Sequence, residues 1–185
     1  MFERVLIANR GEIALRILRA CRTMGIGAVL AYSEADRDSL AAQLADEAIC
    51  IGPADARRSY LSPSAVISAA VVTGCDAIHP GYGFLSEDAG FAEAVSAHGL
   101  TFVGPSAEVL ERFASKEATR RLLGSHGLPT IPGSDGMLRD DEHALAEAER
   151  TGYPVLVKPS AGGPMNVRSW ARTMSAKASS SDRKP

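Results

Sequence analysis

Cysteine and tryptophan are scarce in this chain, and no cysteine pair has a motif spacing. The 185 residues include three cysteines and one tryptophan, and aromatic residues make up 5% of the total. Without CxxC spacing or a Cys/His cluster, neither a disulfide framework nor a zinc site is indicated. Cys21, Cys50 and Cys75 lie in apolar segments. We expect all three to be buried free thiols in a reducing cytoplasm.

Long hydrophobic runs are also missing. The longest apolar stretches fall well short of the roughly 20 residues that a transmembrane helix requires, and no signal-peptide pattern opens the chain. Hydrophobic residues make up 45% of the chain and charged residues 23%, and the formal net charge is −2. These values exclude membrane, fibrous and disordered classes. We expect a cytoplasmic globular protein.

Charge is distributed unevenly along the chain. Residues 164–185 hold five basic residues and one acidic residue, whereas acidic residues are in excess before them. This segment has neither helix nor strand periodicity, so we expect a disordered tail. Nucleic-acid binding is the alternative for a basic tail. It is disfavoured because the basic residues form no helical face and no aromatic residues alternate with them.

Short apolar segments alternate with helical patterns over the first hundred residues. The predicted strands are 5–8, 27–32, 48–51, 76–78 and 100–103, and the predicted helices are 12–24, 40–44, 62–73 and 88–98. This alternation with short connections predicts an α/β fold. Its core would be a mostly parallel, open, Rossmann-like sheet covered by helices on both faces.

A second unit is predicted after Gly104 and Pro105. Its helical patterns cover 107–112, 116–125 and 140–150, and a predicted strand covers 153–158. That strand ends at Lys158 and leads into a loop of small residues. A lysine beside the backbone N–H groups of such a loop is typical of phosphate binding. Lys116 is the second candidate cation.

Two loops are predicted at the carboxyl edge of the sheet, where open α/β sheets bind ligands. The first, 9–12, is not GxGxxG, so a dinucleotide site is disfavoured. There Asn9 either caps the following helix, with Glu12 supporting its first turn, or contacts a ligand. The second, 79–87, has two glycines that permit close backbone approach, and Tyr82 offers a flat ring to a planar ligand. His79 in this loop is expected to be structural.

Residue patterns for other chemistries are missing from the sequence. No carboxylate pair has the setting of a magnesium site, and no nucleophile, base and acid stand in a recognisable arrangement. We therefore identify no metal ligand and no catalytic residue.

Several segments together resemble the N-terminal part of biotin carboxylase, the ATP-grasp subunit or domain of acetyl-CoA, propionyl-CoA and pyruvate carboxylases. They are IANRGEIALRILRA (7–20), SYLSPSAVISAA (59–70), AIHPGYGFLSE (77–87), FVGPS (102–106), PGSDG (132–136) and GYPVLVKPSAGG (152–163). The resemblance implies a pre-ATP-grasp N-terminal domain at 1–113 and the beginning of an ATP-grasp domain at 114–163. Residues 164–185 would be a divergent tail.

The resemblance also implies an activity. The family carboxylates biotin with bicarbonate and ATP, using Mg²⁺ or Mn²⁺, and such chemistry depends mainly on positioning and charge stabilisation around phosphate. The residues that would bind ATP are Lys116, Lys158, Gly162 and Gly163. The residues that would line the biotin end of the site are Tyr82, Gly83 and Glu87.

The partners that the resemblance implies are a biotin carrier protein or domain and a carboxyltransferase subunit. A homodimer is implied through the helix that carries Arg16 and Arg19, although these arginines would equally suit a solvated helix face. No nucleic-acid or membrane partner is expected. The acceptor that receives the carboxyl group is not indicated.

The sequence departs from the family at its glycine-rich loop. Pro164 follows Gly163 where the family continues with glycine, and proline removes an N–H donor and fixes φ. The sequence resembles a biotin carboxylase reading frame cut short near codon 164, and we expect the isolated chain to be inactive. The alternatives are a non-catalytic fragment that associates with an intact carboxylase subunit, and another ATP-grasp ligase.

Overall fold

A computed structural model describes residues 2–134 and 136–157, together with the backbone of 168–170. The side chain of Lys116 is not among the described atoms. The chain divides into two compact units, Met1–Glu111 and Arg112–Pro185. In the described part of the chain, no helix is long and apolar enough to cross a membrane.

The first unit is built on a parallel sheet of five strands. They are β1 (Arg4–Ile7), β2 (Gly27–Ser33), β3 (Glu47–Gly52), β4 (Ala77–His79) and β5 (Thr101–Phe102). Their order is β3-β2-β1-β4-β5, and every neighbouring pair is parallel. The prediction of an open parallel sheet is confirmed. Its central strand, β1, pairs with β2 on one side and with β4 on the other.

Four helices connect these strands, and their ends carry the expected stop and start signals. They are α1 (Gly11–Met24), α2 (Leu40–Leu44), α3 (Pro63–Val72) and α4 (Ala89–Ala97). Gly25 ends α1 in the left-handed conformation, and Ser62 and Asp88 accept hydrogen bonds that begin α3 and α4. Two short 3₁₀ helices, Glu34–Asp36 and Ala56–Arg58, were not predicted.

Helices cover both faces of the sheet because successive β1 residues point to opposite sides. Leu6 belongs to one buried cluster, which also contains Val66 of α3 and Phe91 of α4. Ile7 belongs to the other, which contains Leu18 of α1. Fully burying each large apolar side chain contributes about 1.5–3 kcal/mol to stability. The two-sided apolar run therefore buries β1 between two helical layers, and helices on both faces of the sheet were predicted.

The described part of the second unit is mainly helical. A helix, α5 (Ala107–Phe113), leads into it and is followed by α6 (Lys116–Ser125) and α7 (Asp141–Thr151). A strand, β6 (Val155–Val157), pairs antiparallel with β7 (Arg168–Trp170). The strand β7 contradicts the prediction of a disordered tail for residues 168–170. The remainder of 164–185 lies outside the described residues, so for it the disordered tail stays a prediction.

The cysteines differ in burial. All three are free thiols, as predicted. Cys21 and Cys75 are buried, and burial raises the pKa of both thiols. The prediction that Cys50 is buried is wrong: it is exposed on β3, which is an edge strand and has only one neighbour.

Candidate functional site

The strand order creates a switch point between β1 and β4. From β1 the chain continues to β2 and β3 on one side, and it returns to form β4 and β5 on the other. At such a point the loops after two neighbouring strands diverge, and a crevice opens at the carboxyl edge of the sheet. The segments that meet here are 9–12, which we call the β1–α1 turn, and 80–87, which we call the β4–α4 loop.

Asn9 joins these two segments. Its side chain is 3% exposed, and its Nδ2 donates hydrogen bonds to the carbonyl oxygens of Pro80 at 2.7 Å and Tyr82 at 2.8 Å. Its Oδ1 accepts from the backbone N–H of Arg10 at 2.8 Å. Arg10, not Asn9, occupies the N-cap position of α1 and forms no side-chain cap. The prediction that Asn9 caps this helix is therefore wrong, because its amide is committed to a loop more than seventy residues away.

The β4–α4 loop has an unusual backbone. Gly81, Gly83 and Phe84 have φ values of 69°, 68° and 43°. Among the described residues, Phe84 is the one non-glycine residue with positive φ. This conformation costs about 1–2 kcal/mol for a residue with a Cβ. Surrounding contacts must hold it in place.

Arg10 supplies one of those contacts. The rings of Tyr60 and Phe84 stack with centroids 4.9 Å apart and planes 12° from parallel. The Arg10 guanidinium lies 5.7 Å from the Tyr60 centroid and 5.6 Å from the Phe84 centroid. It also approaches the Asp36 carboxylate at 3.7 Å. The cation is thus held over both rings, and Phe84 is fixed through its side chain.

Tyr82 projects from the loop toward solvent and is 59% exposed. Its hydroxyl donates a hydrogen bond to the Glu12 carboxylate, and this hydrogen bond raises the pKa of Tyr82. Gly83 and Glu87 are also exposed. A Cβ added to Gly83 would meet nothing within 4 Å. The loop therefore exposes a ring face and an uncovered stretch of backbone at the carboxyl edge of the sheet.

His79 has a structural role, as predicted. It ends β4, and its Nδ1 accepts the backbone N–H of Gly81 at 3.1 Å. Burial lowers the pKa of His79. A neutral ring that accepts a backbone hydrogen bond shapes the turn into the loop and has little capacity left to act as a base.

The described part of the structure does not bring the predicted phosphate-binding residues together. Lys116 begins α6 after the capping residue Ser115, and its side chain is not described. Lys158, Gly162 and Gly163 lie outside the described residues. In the described part of the chain, no group of three or more His, Cys, Asp or Glu side chains could hold a metal ion.

The fold defines an α/β protein of the open parallel-sheet class, whose switch point lies between β1 and β4. The family model of the biotin carboxylase N-terminal domain matches residues 1–110. The chain therefore belongs to the biotin carboxylase family. A second model, the ATP-binding domain of the carbamoyl-phosphate synthase L chain, matches residues 115–175. This match passes residue 163, where the resemblance read from the sequence ends.

Individual relatives agree with this assignment. The biotin carboxylase of Pseudomonas aeruginosa is 56% identical over 164 residues, which cover 88% of this chain and 36% of the relative. Biotin carboxylase from Campylobacter jejuni, solved as a β-γ-ATP complex, superposes with a TM-score of 0.80 at 46% identity. That match covers 91% of this chain and 38% of the solved chain.

A third relative was solved with ligands. The dimeric biotin carboxylase domain of Hydrogenobacter thermophilus 2-oxoglutarate carboxylase, solved with MgADP, ADP and bicarbonate, has a TM-score of 0.79 at 44% identity. The match covers 91% of this chain and 37% of that domain. The chain thus spans little more than a third of the length of the relatives that it matches.

Proposed function

We propose that this chain is the N-terminal portion of a biotin carboxylase, the component that carboxylates biotin with bicarbonate and ATP. The observation that carries the proposal is the β4–α4 loop, which exposes Tyr82 and Gly83 at the switch point of a sheet belonging to this family. Ligands of open parallel sheets bind at such a point. The relative solved with MgADP and bicarbonate supports the same chemistry.

The exposed loop residues fit the biotin end of the site. The Tyr82 ring is accessible, and Gly83 has open space where a side chain would stand. A planar ring system can therefore approach both the aromatic face and the backbone. Exposed Glu87, at the end of the same loop, completes the set that we assign to biotin. These three residues would bind and orient the ring.

ATP would bind in the second unit. We assign its phosphates to Lys116, Lys158, Gly162 and Gly163, because lysine charge and glycine N–H groups suit phosphate oxygens. The match of residues 115–175 to an ATP-binding domain supports this assignment. MgATP, when bound, would supply the phosphoryl group that activates bicarbonate. No described cluster of side chains fits the metal, so we assign it no ligand in this part of the chain.

We also propose the domain boundaries 1–113, 114–163 and 164–185. The division into compact units at Glu111 and Arg112 supports the first boundary. The third segment would be a divergent tail. Its first residue, Pro164, lies where the family's glycine-rich loop continues.

The proposed partners are a biotin carrier protein or domain, a carboxyltransferase subunit and a second biotin carboxylase chain. Arg16 and Arg19 are exposed on α1, whose buried residues include Ala14, Ile17 and Leu18. The Hydrogenobacter thermophilus relative is a dimer, which supports self-association. The same surface would let this chain associate with an intact carboxylase subunit. Loss of co-purification with that subunit in Arg16→Glu/Arg19→Glu would support this interface, and unchanged co-purification would contradict it.

Another ATP-grasp ligase is the competing function. The match to the carbamoyl-phosphate synthase ATP-binding domain is compatible with it. The match of residues 1–110 to the biotin carboxylase N-terminal domain favours the biotin-dependent reaction.

A segment-swap enzyme tests the proposed function. Residues 1–113 of this chain would replace the corresponding segment of Pseudomonas aeruginosa biotin carboxylase. We expect the swap enzyme to retain ATP hydrolysis that depends on bicarbonate and biotin, within about tenfold of the parent. A matched swap with residues 80–87 replaced by a Gly/Ser segment should lose the biotin dependence. A folded swap enzyme whose ATP hydrolysis does not respond to biotin would contradict the proposal.

The 185-residue chain itself should show no bicarbonate-dependent ATP hydrolysis with free biotin. It spans 36% of the Pseudomonas aeruginosa enzyme, and each charge-stabilising group missing from such a site commonly costs about 10²–10³ in rate. Clear turnover by the purified chain would contradict this expectation.

A further inference from the structure

Three residues of the β1–α1 turn contact three different parts of the β4–α4 loop. Asn9 donates to two backbone carbonyl oxygens, Arg10 packs on the ring of Phe84, and Glu12 accepts the hydroxyl of Tyr82. The β1–α1 turn and the β4–α4 loop, which are far apart in the sequence, are therefore connected by several contacts. The turn thus contacts the backbone of the loop, the ring of Phe84 and the exposed side chain of Tyr82.

The backbone contact is the most enclosed of the three. The hydrogen bond from Asn9 Nδ2 to the Pro80 carbonyl is buried, and the one to the Tyr82 carbonyl is partly buried. A buried carbonyl that loses its donor costs the full desolvation free energy of that group. Gly81 lies against the same side chain, since a Cβ there would stand 2.9 Å from Asn9 Nδ2. The amide and the glycine therefore match each other in shape as well as in hydrogen bonding.

The Arg10 contact links the loop to the rest of the sheet edge. Its guanidinium lies over the stacked rings of Tyr60 and Phe84 and near Asp36. Tyr60 is 1% exposed and cannot move without disturbing the core. Phe84, which has the positive φ of 43°, is therefore held by a partner that is itself fixed.

The Glu12 contact sets the direction of Tyr82. The phenol has only one described hydrogen-bond partner, the Glu12 carboxylate, and it is otherwise exposed to solvent. Without that acceptor, the side chain would choose freely among its rotamers. A fixed ring costs a ligand less entropy on binding than a mobile one.

We propose that Asn9, Arg10 and Glu12 are positioning residues that hold the β4–α4 loop in the one conformation in which Tyr82 and Gly83 are exposed at the carboxyl edge of the sheet. The role in biotin binding rests on the proposed function, whereas the positioning itself does not need a ligand. The turn acts through the loop and does not touch the reacting atoms.

The test uses the full 185-residue chain, labelled with ¹⁵N, and no ligand. Asn9→Asp keeps the size and the acceptor but removes both N–H donors. The Gly81 amide donates to His79 Nδ1 and the Ser86 amide to the Gly83 carbonyl oxygen. We expect exchange of both amides to accelerate about tenfold or more. The Leu30 amide in β2 should change far less. Exchange that rises equally at all sites would indicate general unfolding and would contradict a positioning role for Asn9.

A second variant covers the case in which Asn9→Asp fails to fold. Glu12→Gln removes a carboxylate from an exposed contact, so it should leave the fold intact. We expect the Tyr82 phenol to titrate at lower pH than in the unsubstituted chain, because the carboxylate that stabilised its neutral form is gone. Glu93→Gln, an equal charge change at an exposed position on α4, is the matched control and should not move the Tyr82 titration.

Arg10→Gln completes the set, because it removes the cation that lies over Phe84. We expect it to accelerate exchange of the Ser86 amide, while Glu93→Gln does not. Unchanged loop exchange in Asn9→Asp and Arg10→Gln, with unchanged Tyr82 titration in Glu12→Gln, would overturn the proposal. A folded segment-swap enzyme whose ATP hydrolysis does not respond to biotin would contradict the proposed function instead, so the two failures are distinguishable.

Discussion

The hydroxyl of Tyr60 donates a hydrogen bond to the Asp36 carboxylate at 2.9 Å. The Tyr60 hydroxyl oxygen also accepts a hydrogen bond from the backbone N–H of Ser33 at 3.1 Å. The Ser33 hydroxyl in turn donates to the Asp36 carboxylate at 2.6 Å. These contacts tie the end of β2 to the aromatic stack beneath the β4–α4 loop. The hydroxyl is thus part of the support on which the candidate site is built.

Tyr60→Phe should destabilise the chain while keeping the ring stack. The substitution leaves the buried Ser33 N–H without its acceptor and removes a hydrogen bond from Asp36. Such losses cost about 1–3 kcal/mol, and urea unfolding would measure the change. Tyr32→Phe, on the same strand as Ser33, is the control. An equal, small effect for both variants would contradict the importance assigned to the Tyr60 hydroxyl.

Stability should fall at alkaline pH partly because of Tyr60. Burial, together with the neighbouring Asp36 carboxylate, raises the pKa of Tyr60 from 10.0 to about 12. The folded chain therefore keeps a proton that the unfolded chain releases, so the contribution is complete below pH 10 and decreases as pH rises toward 12. In Tyr60→Phe the decline of the unfolding free energy over this interval should be shallower. A decline of the same slope in both chains would rule out this role for Tyr60.

Gly81 and Gly83 form a matched pair for substitution by alanine. Both have left-handed φ, 69° and 68°, so each alanine pays a similar conformational cost. Only at Gly81 would the added Cβ meet Asn9 Nδ2 at 2.9 Å and Ile13 Cγ1 at 3.0 Å. Gly81→Ala should therefore lower the free energy of unfolding by about 1–3 kcal/mol more than Gly83→Ala. Equal losses in thermal or urea unfolding would show that the Asn9 contact does not constrain the loop.

Lowering the pH should destabilise the turn between β4 and the β4–α4 loop, because His79 becomes protonated there. Burial lowers the pKa of His79 below 6.5 in the folded chain, so the unfolded chain binds the proton first as pH falls. The stability that the neutral ring contributes is present above 6.5 and is lost as pH falls through the folded pKa. His79→Asn, which can keep an acceptor for Gly81 without titrating, should flatten this part of the stability profile. An unchanged profile would contradict the assignment.

The sequence alone predicts the layers of the first unit but not how its site is held. Apolar runs and glycine stops predicted the five strands and the four helices because they are local signals. The role of Asn9 could not be predicted, since its partners at Pro80 and Tyr82 are distant in sequence and a local capping rule applied equally well. Cys50 was misjudged because apolar neighbours do not reveal which strand lies at an edge.

The resemblance predicts which loop forms the candidate site, and the structure shows how that loop is supported. HPGYGFLSE singled out Tyr82, Gly83 and Glu87 from sequence. The stack of Tyr60 on Phe84 under Arg10 left no recognisable pattern, because its members come from three separate segments. Strand order alone brings those segments to one edge of the sheet.

The biotin dependence of the segment-swap enzyme with Tyr82→Ala tests the central claim most directly. If the β4–α4 loop lies at the biotin end of the site, loss of the ring should raise the KM for biotin about tenfold or more, equivalent to about 1.4 kcal/mol. The KM for ATP should not change, and Glu93→Gln should alter neither value. A KM for biotin that is unchanged in Tyr82→Ala would contradict the account.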